Sequence, residues 1–220
     1  MVPSVDKSVS KRPGPIPEST YPAMAIYPLS GIIIADGRFL SADGDSAPAS
    51  TPAAMEPLHL ERALAALAPW AEEIVWVTSD PAALLDQDGL IVSDHFQPPG
   101  VLSAIHAGLF AARHEQALVL AASLPLPSGP VLDLLSRAVA PRWDGVLLGA
   151  DSGAQPLPAV YHKRCLKLLT RQLVEGRRQA GGFLRQLHRH LIPEELVRRA
   201  DGQWVPLFPG DNPETPGPTE

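Results

Sequence analysis

The residues best suited to chemistry lie in Gly31-Ile32-Ile33-Ile34-Ala35-Asp36-Gly37-Arg38, an apolar run that stops at a tight acidic turn. A strand breaking into a glycine turn is how many α/β proteins bring backbone N–H groups to a nucleotide's phosphates. Arg38 is either an exposed surface arginine or a guanidinium whose fork matches phosphate oxygens. The other charges oppose that task. Asp36 sits where the backbone would approach an anion, Asp43 and Asp45 follow, and no lysine occurs between Arg38 and Arg62. Phosphate loops supply positive charge and bare glycine backbone, so this turn has the right shape and the wrong sign. The aspartates are open to two readings, as turn formers in solvent or as ligands of a cation.

Further candidates are scattered along the chain. Thr78 and Ser79 end an apolar run and offer hydroxyls, either to a nucleotide or to their own strand end. Asp94 precedes Pro98-Pro99 and is a ligand carboxylate or a turn residue. Arg177 and Arg178 follow Gly176 and suit an anionic phosphate or a solvated helix start. His188 and His190, two apart on an expected helix, point to different faces, and the other histidines show no metal spacing. No Ser-His-Asp set can be assembled, so no catalytic residue and no metal ligand is assigned. Trp70, Trp76, Trp143 and Trp204 read as packing.

The elements that must position these groups follow from periodicity. Gly31–Ala35, Glu73–Thr78, Leu90–Ser93, Ala117–Ala122, Gly145–Ala150 and Leu157–Tyr161 are short apolar runs of strand type. Met55–Leu67, Val101–Arg113, Ser128–Ala138, Cys165–Val174, Ala180–His190 and Glu194–Arg199 carry helical spacing, and Gln203–Phe208 is extended. Strands alternating with helices predict βαβ units and a parallel sheet covered on both faces. Ligands then bind at the carboxyl ends of the strands, so the turns after Ala35, Thr78, Ser93 and Ala122 form the expected rim. Residues 1–28, rich in Pro and Ser, predict a flexible arm, and 209–220 a disordered tail. One domain over 29–208 remains.

Composition narrows the function. With 220 residues, 45% hydrophobic and a formal net charge of -6, the chain reads as a soluble globular protein without the basic face that nucleic acid or anionic membrane would need. It has no apolar run of about 20 residues to span a bilayer, and no apolar segment follows Lys7, Lys11 and Arg12 to make a signal peptide. A single cysteine, Cys165, excludes an intramolecular disulfide and predicts a buried, inert thiol. A cytoplasmic location is the expectation.

The order of segments resembles the MobA-type nucleotidyltransferases, which attach a guanylyl group from GTP to molybdopterin, and their cytidylyl-transferring relatives. Their opening Leu-Ala-Gly-Gly-x-Ser-x-Arg-Met-Gly-x-Asp-Lys corresponds to residues 34–46, where Ala35, Gly37, Arg38 and Asp45 fit, Asp36 replaces a glycine and Ser46 replaces the lysine. Asp94, Gly100, Leu102, Ile105 and Ala107-Gly108-Leu109 match the segment Asp-x-x-Pro-Gly-x-Gly-Pro-Leu-Ala-Gly-Ile-x-Ala-Gly-Leu. Val119-Leu120-Ala121-Ala122-Ser123-Leu124-Pro125 is similar to a strand ending in Cys-Asp-Met-Pro, with Ser123 at the aspartate. Gln155–Tyr161, Gly176–Leu184 and Phe208-Pro209-Gly210-Asp211-Asn212 resemble later family elements. The resemblance implies a Rossmann-like three-layer α/β/α nucleotidyltransferase fold with a mostly parallel sheet. It also implies Mg²⁺ with GTP, molybdopterin as acceptor, and nucleotide-binding roles for Ala35, Gly37, Arg38, Ser79 and Asp94. Nucleotidyl transfer depends on neutralising phosphate charge, so Ser46 and Ser123 predict weakened or absent catalysis. Three readings follow: a transferase with a rewired phosphate site, a non-catalytic carrier of nucleotide or molybdopterin, or an interaction scaffold for a molybdoenzyme maturation protein.

Overall fold

The computed structural model describes residues 27–36 and 56–208. Its sheet has seven strands: β1 (Leu29–Ile34), β2 (Glu73–Val77), β3 (Leu90–Val92), β4 (Gln116–Ala121), β5 (Gly145–Ala150), β6 (Gly153–His162) and β7 (Arg189–Ile192). They lie in the order β3-β2-β1-β4-β6-β5-β7. Strands β1 to β4 pair in parallel, as do β5 and β7; β6 alone runs antiparallel, between β4 and β5. The sheet is therefore mostly parallel, and β1 and β4 at its centre are buried throughout and apolar apart from Ser30 and Gln116, as parallel strands covered on both faces require.

Among the described residues six α-helices cover the sheet: α1 (Pro57–Leu67), α2 (Val101–Ala111), α3 (Gly129–Arg137), α4 (Cys165–Val174), α5 (Ala180–Leu184) and α6 (Glu194–Ala200). The strand period of two divides the core into two layers. Ile33, Trp76, Leu118 and Leu120 pack with α1, α3 and α6, while Ile32, Ile34, Val75, Val77 and Val119 pack with α2, α4 and α5. That is the expected three-layer α/β/α arrangement. Helix α2 lies close on β1 because Gly108 has no side chain; a Cβ there would stand 2.5 Å from Ile32 Cγ2. Among the described residues no helix is long and apolar enough to cross a membrane.

One expected element differs. Ala180–His190 is not one helix: α5 ends at Leu184, and Arg189–Ile192 forms edge strand β7 on β5. His188 and His190 thus flank a strand start, each against Trp143 (ring centroids 4.7 and 5.5 Å). Gln203–Phe208 pairs with no strand among the described residues, and the Gln155 amide holds its end, accepting from the N–H of Leu207 (3.0 Å) and Phe208 (2.9 Å) and donating to the Phe208 carbonyl (3.0 Å). Strand β6 carries extra residues between Gln155 and Ala159 opposite Leu147 and Leu148. This bulge accommodates Pro156 and Pro158, which a regular inner strand does not tolerate.

Cys165 is buried, its thiol pushed up to about 12 mainly by burial and next by the nearby Asp144 carboxylate. Such a thiol is unreactive near neutrality. Trp76 is fully buried and donates from Nε1 to the Asp88 carbonyl (2.9 Å), Trp204 is buried, and Trp70 and Trp143 pack on the core's margin. All four tryptophans serve packing.

Candidate functional site

The carboxyl ends of the four parallel strands meet in a stepped line. Thr78 N–H donates to the Val92 carbonyl (3.0 Å), Ala35 N–H to Val77 (2.8 Å) and Ala122 N–H to Ile34 (2.9 Å). The turns after β1 to β4 therefore converge on one edge, as the strand pattern implied. Ala35 is brought to it, but its N–H belongs to the sheet and the residue is buried. Gly37 and Arg38 lie outside the described residues, as do Asp43, Asp45 and Ser46.

Asp36 sets the character of this edge. It is 6% exposed, and its Oδ1 accepts both the N–H (3.0 Å) and the hydroxyl (2.9 Å) of Ser79. A carboxylate of the chain itself thus takes the donors that Ser79 would present to a ligand oxyanion. Thr78 also turns inward, its Oγ1 accepting from Asp80 N–H (3.0 Å). Both hydroxyls stabilise the turn after β2.

Asp94 stands beyond β3 with the opposite status. Its Oδ1 accepts from Phe96 N–H (2.9 Å), while Oδ2 is enclosed and has no hydrogen-bond partner. Burial raises its pKa above the usual aspartate range. The Ser103 hydroxyl and Phe96 N–H act in the other direction, and the Asp36 charge raises it further. Ser103 is close enough to favour the charged form, but its hydroxyl donates to the Gly100 carbonyl (2.9 Å) and leaves Oδ2 unmatched. Asp94 is thus a carboxylate held ready for a donor.

Ser123, two residues beyond β4, also has a buried hydroxyl without a partner. A neutral hydroxyl is a weak ligand for Mg²⁺, which is normally bound through carboxylates and phosphate oxygens. Asp36 Oδ1 is engaged by Ser79, and among the described residues no three His, Cys, Asp or Glu side chains converge to hold a metal. These residues do not fit a magnesium centre.

Sequence reasoning missed His106. Thr170 donates its hydroxyl to the Leu166 carbonyl (2.8 Å), so its oxygen accepts from His106 Nε2 (2.9 Å). The proton of the neutral ring therefore sits on Nε2. Burial holds His106 below the usual histidine range, against the pull of Asp94. This bond joins α2 to α4 beside a groove of about 430 Å³ lined by Val92, His95, Phe96, His106 and Phe110. A histidine within a helical apolar pattern gives no such signal, because Thr170 is 64 residues away.

The fold and its strand-end site define a Rossmann-like nucleotidyltransferase architecture. The family model for the MobA-like NTP transferase domain matches residues 53–191, and the chain belongs to that family. It is 31% identical over 137 residues to a molybdenum cofactor guanylyltransferase of Desulfosudis oleivorans, covering 62% of this chain and 68% of the relative. It is 32% identical over 167 residues to a probable molybdenum cofactor guanylyltransferase of Chloroflexus aggregans, covering 73% and 78%. Among solved structures, molybdopterin-guanine dinucleotide biosynthesis protein A from Archaeoglobus fulgidus aligns with a TM-score of 0.60 at 20% identity, over 84% of this chain and 94% of that one. The 2-C-methyl-D-erythritol 4-phosphate cytidylyltransferase of Francisella tularensis aligns at 0.51 and 12%, over 80% and 100%. These likenesses show the shared fold. The family match begins at residue 53, after β1 and its turn.

Proposed function

We propose that the chain binds GTP and molybdopterin at the carboxyl edge of β1 to β4, as its guanylyltransferase relatives suggest, and that guanylyl transfer there is weak or lost. The observation that carries this reading is Ser123. At the end of β4, at the position the family resemblance gives to a metal-binding aspartate, there is an uncharged, unpartnered hydroxyl. Removing one electrostatic contact of that type lowers a rate by roughly 10²–10³. Asp36 adds a negative charge on the same edge. Asp94, with its free Oδ2, is the residue that would accept N–H donors of a purine or pterin ring, and Arg38 the one that would meet a phosphate.

A second reading, a non-catalytic carrier or scaffold in molybdoenzyme maturation, is favoured by the Asp36–Ser79 contact, which fills donors a transferred phosphate would need. A cytoplasmic location is part of both readings, with a maturation protein as partner and neither nucleic acid nor membrane.

Calorimetric titration of the full chain with GTP and CTP, with and without Mg²⁺, tests the proposal. Binding of GTP without turnover of molybdopterin is the expected result. Magnesium-dependent micromolar binding followed by guanylyl transfer would show a rebuilt site and overturn the loss of catalysis. No binding of either nucleotide or of molybdopterin would leave the scaffold reading.

A further inference from the structure

Helix α4 ends in a Schellman motif. Gly176 takes φ 73°, its N–H donates to the Leu173 carbonyl (3.1 Å), and Arg177 N–H reaches back to Gln172 (2.8 Å). Only a residue without a Cβ adopts that conformation at no steric cost, so Gly176 fixes where the two following arginines emerge. They diverge. The Arg177 guanidinium pairs with Glu175. The Arg178 guanidinium crosses to the β3–α2 loop, donating to the Pro98 carbonyl (3.0 Å) and the Gln97 carbonyl (2.5 Å).

We propose that Arg178 is the positioning residue of the loop that carries Asp94, and that it is not a ligand for phosphate. The loop's own composition demands an outside tether. Pro98 and Pro99 have no N–H, so between Phe96 and Gly100 the backbone offers little except carbonyls. At one end Phe96 N–H is tied to Asp94 (2.9 Å), and at the other Gly100 N–H is tied to Ser103 (2.8 Å). The middle needs a donor, and consecutive carbonyls suit the planar fork of a guanidinium better than the single nitrogen of lysine. Helices α2 and α4 pack on the same face of the sheet and are joined lower down by His106 and Thr170. Arg178 closes the same pair at the carboxyl edge, 80 residues along the chain from Pro98.

The tether needs no ligand, so it is testable on the purified full chain alone. Hydrogen–deuterium exchange read by mass spectrometry would compare wild type with Arg178→Ala, Arg178→Lys and Arg177→Ala. In Arg178→Ala the peptide covering residues 94–103 is expected to exchange on the order of tenfold faster. Arg178→Lys should fall between, Arg177→Ala should match wild type, and peptides from β1 and β4 should be unchanged in all. Unchanged exchange in Arg178→Ala would overturn the proposal, as would equal acceleration by Arg177→Ala. A loss of exchange protection across the whole chain would also overturn it, because the effect would then be global. The consequence for ligand rests on the nucleotide-site reading: a several-fold weaker GTP affinity in Arg178→Ala. If wild type binds no GTP, that reading fails while the exchange result still decides the role of Arg178.

Discussion

The two edges of one sheet treat their polar groups differently. At the amino edge, Ser30 donates to Glu73 Oε1 (2.5 Å), Arg113 N–H donates to the same oxygen (2.5 Å), and His114 N–H donates to Ser30 Oγ (3.1 Å). Lys163 closes the neighbouring loop through the Ala112 and Glu115 carbonyls. Burial would raise the pKa of Glu73, but the Ser30 and Arg113 hydrogen bonds, with the charges of Arg113 and His114, bring it below the usual range. At the carboxyl edge, Asp94 is shifted the opposite way, and Asp94, Ser123, Ser128 and Ser152 each keep a buried polar atom without a partner. Gln116 is the exception at the amino edge. A buried polar group left unmatched is costly, so satisfaction at one edge and want at the other separates the edge that holds the fold from the edge where the ligand site is proposed.

The largest effect should come from attacking the satisfied edge. Glu73→Ala strands the fully buried Ser30 hydroxyl and the Arg113 N–H, and should cost about 2–3 kcal/mol, lowering Tm by roughly 4–12 °C. Thermal unfolding followed by circular dichroism reads this directly; a shift under about 1 °C would erase the contrast between the edges.

Next in size is Asp36→Asn, which keeps the oxygen that Ser79 donates to and removes the charge. Like charges about 5 Å apart repel by roughly 3 kcal/mol at an effective dielectric near 20, so GTP affinity should rise about tenfold or more with Tm little changed. Unaltered affinity in calorimetry would mean that Asp36 does not face the phosphates.

Asp94→Asn should make the protein more stable at neutral pH, by less than the Glu73 loss. A carboxyl whose folded pKa is raised contributes stability that is present below the usual aspartate range and lost as pH rises through the folded value. The variant fixes the neutral form, so its advantage should be absent in acid and appear above that window. Melting curves from pH 3 to 8 that run parallel for the two proteins would refute this.

The smallest effect belongs to Ser123→Ala. Deleting a buried hydroxyl that bonds to nothing relieves its desolvation cost, so stability should rise, by no more than about 1 kcal/mol. A loss comparable to that of Glu73→Ala in urea unfolding would show that Ser123 has a structural partner after all.

The strands were legible because each apolar run is long enough to stand out, and α1 because Leu60, Ala63 and Leu67 recur on one buried face. Strand β7 was not. Phe183, Leu184 and Leu187 continue a helical spacing, while Arg189-His190 shows no strand alternation; pairing with Gly145–Leu148 makes it a strand. Of the site, Asp94 and Ser123 were named in the sequence and lie at the expected rim. The engagement of Ser79 by Asp36 was not readable, since it joins residues 43 apart through a sheet register. In sequence, Arg178 suits an anion or a solvated helix start equally well; its partners are the Gln97 and Pro98 carbonyls, which no composition reveals.

The layered α/β class, the family and the residue types at the strand ends are legible in the chain alone, because periodicity and segment order are properties of the chain. Which of those groups are already engaged emerges on folding. Hydrogen bonds between distant segments depend on register and helix ends, so whether Asp36, Asp94, Ser123 and Arg178 face a ligand or one another is fixed only once the sheet has assembled.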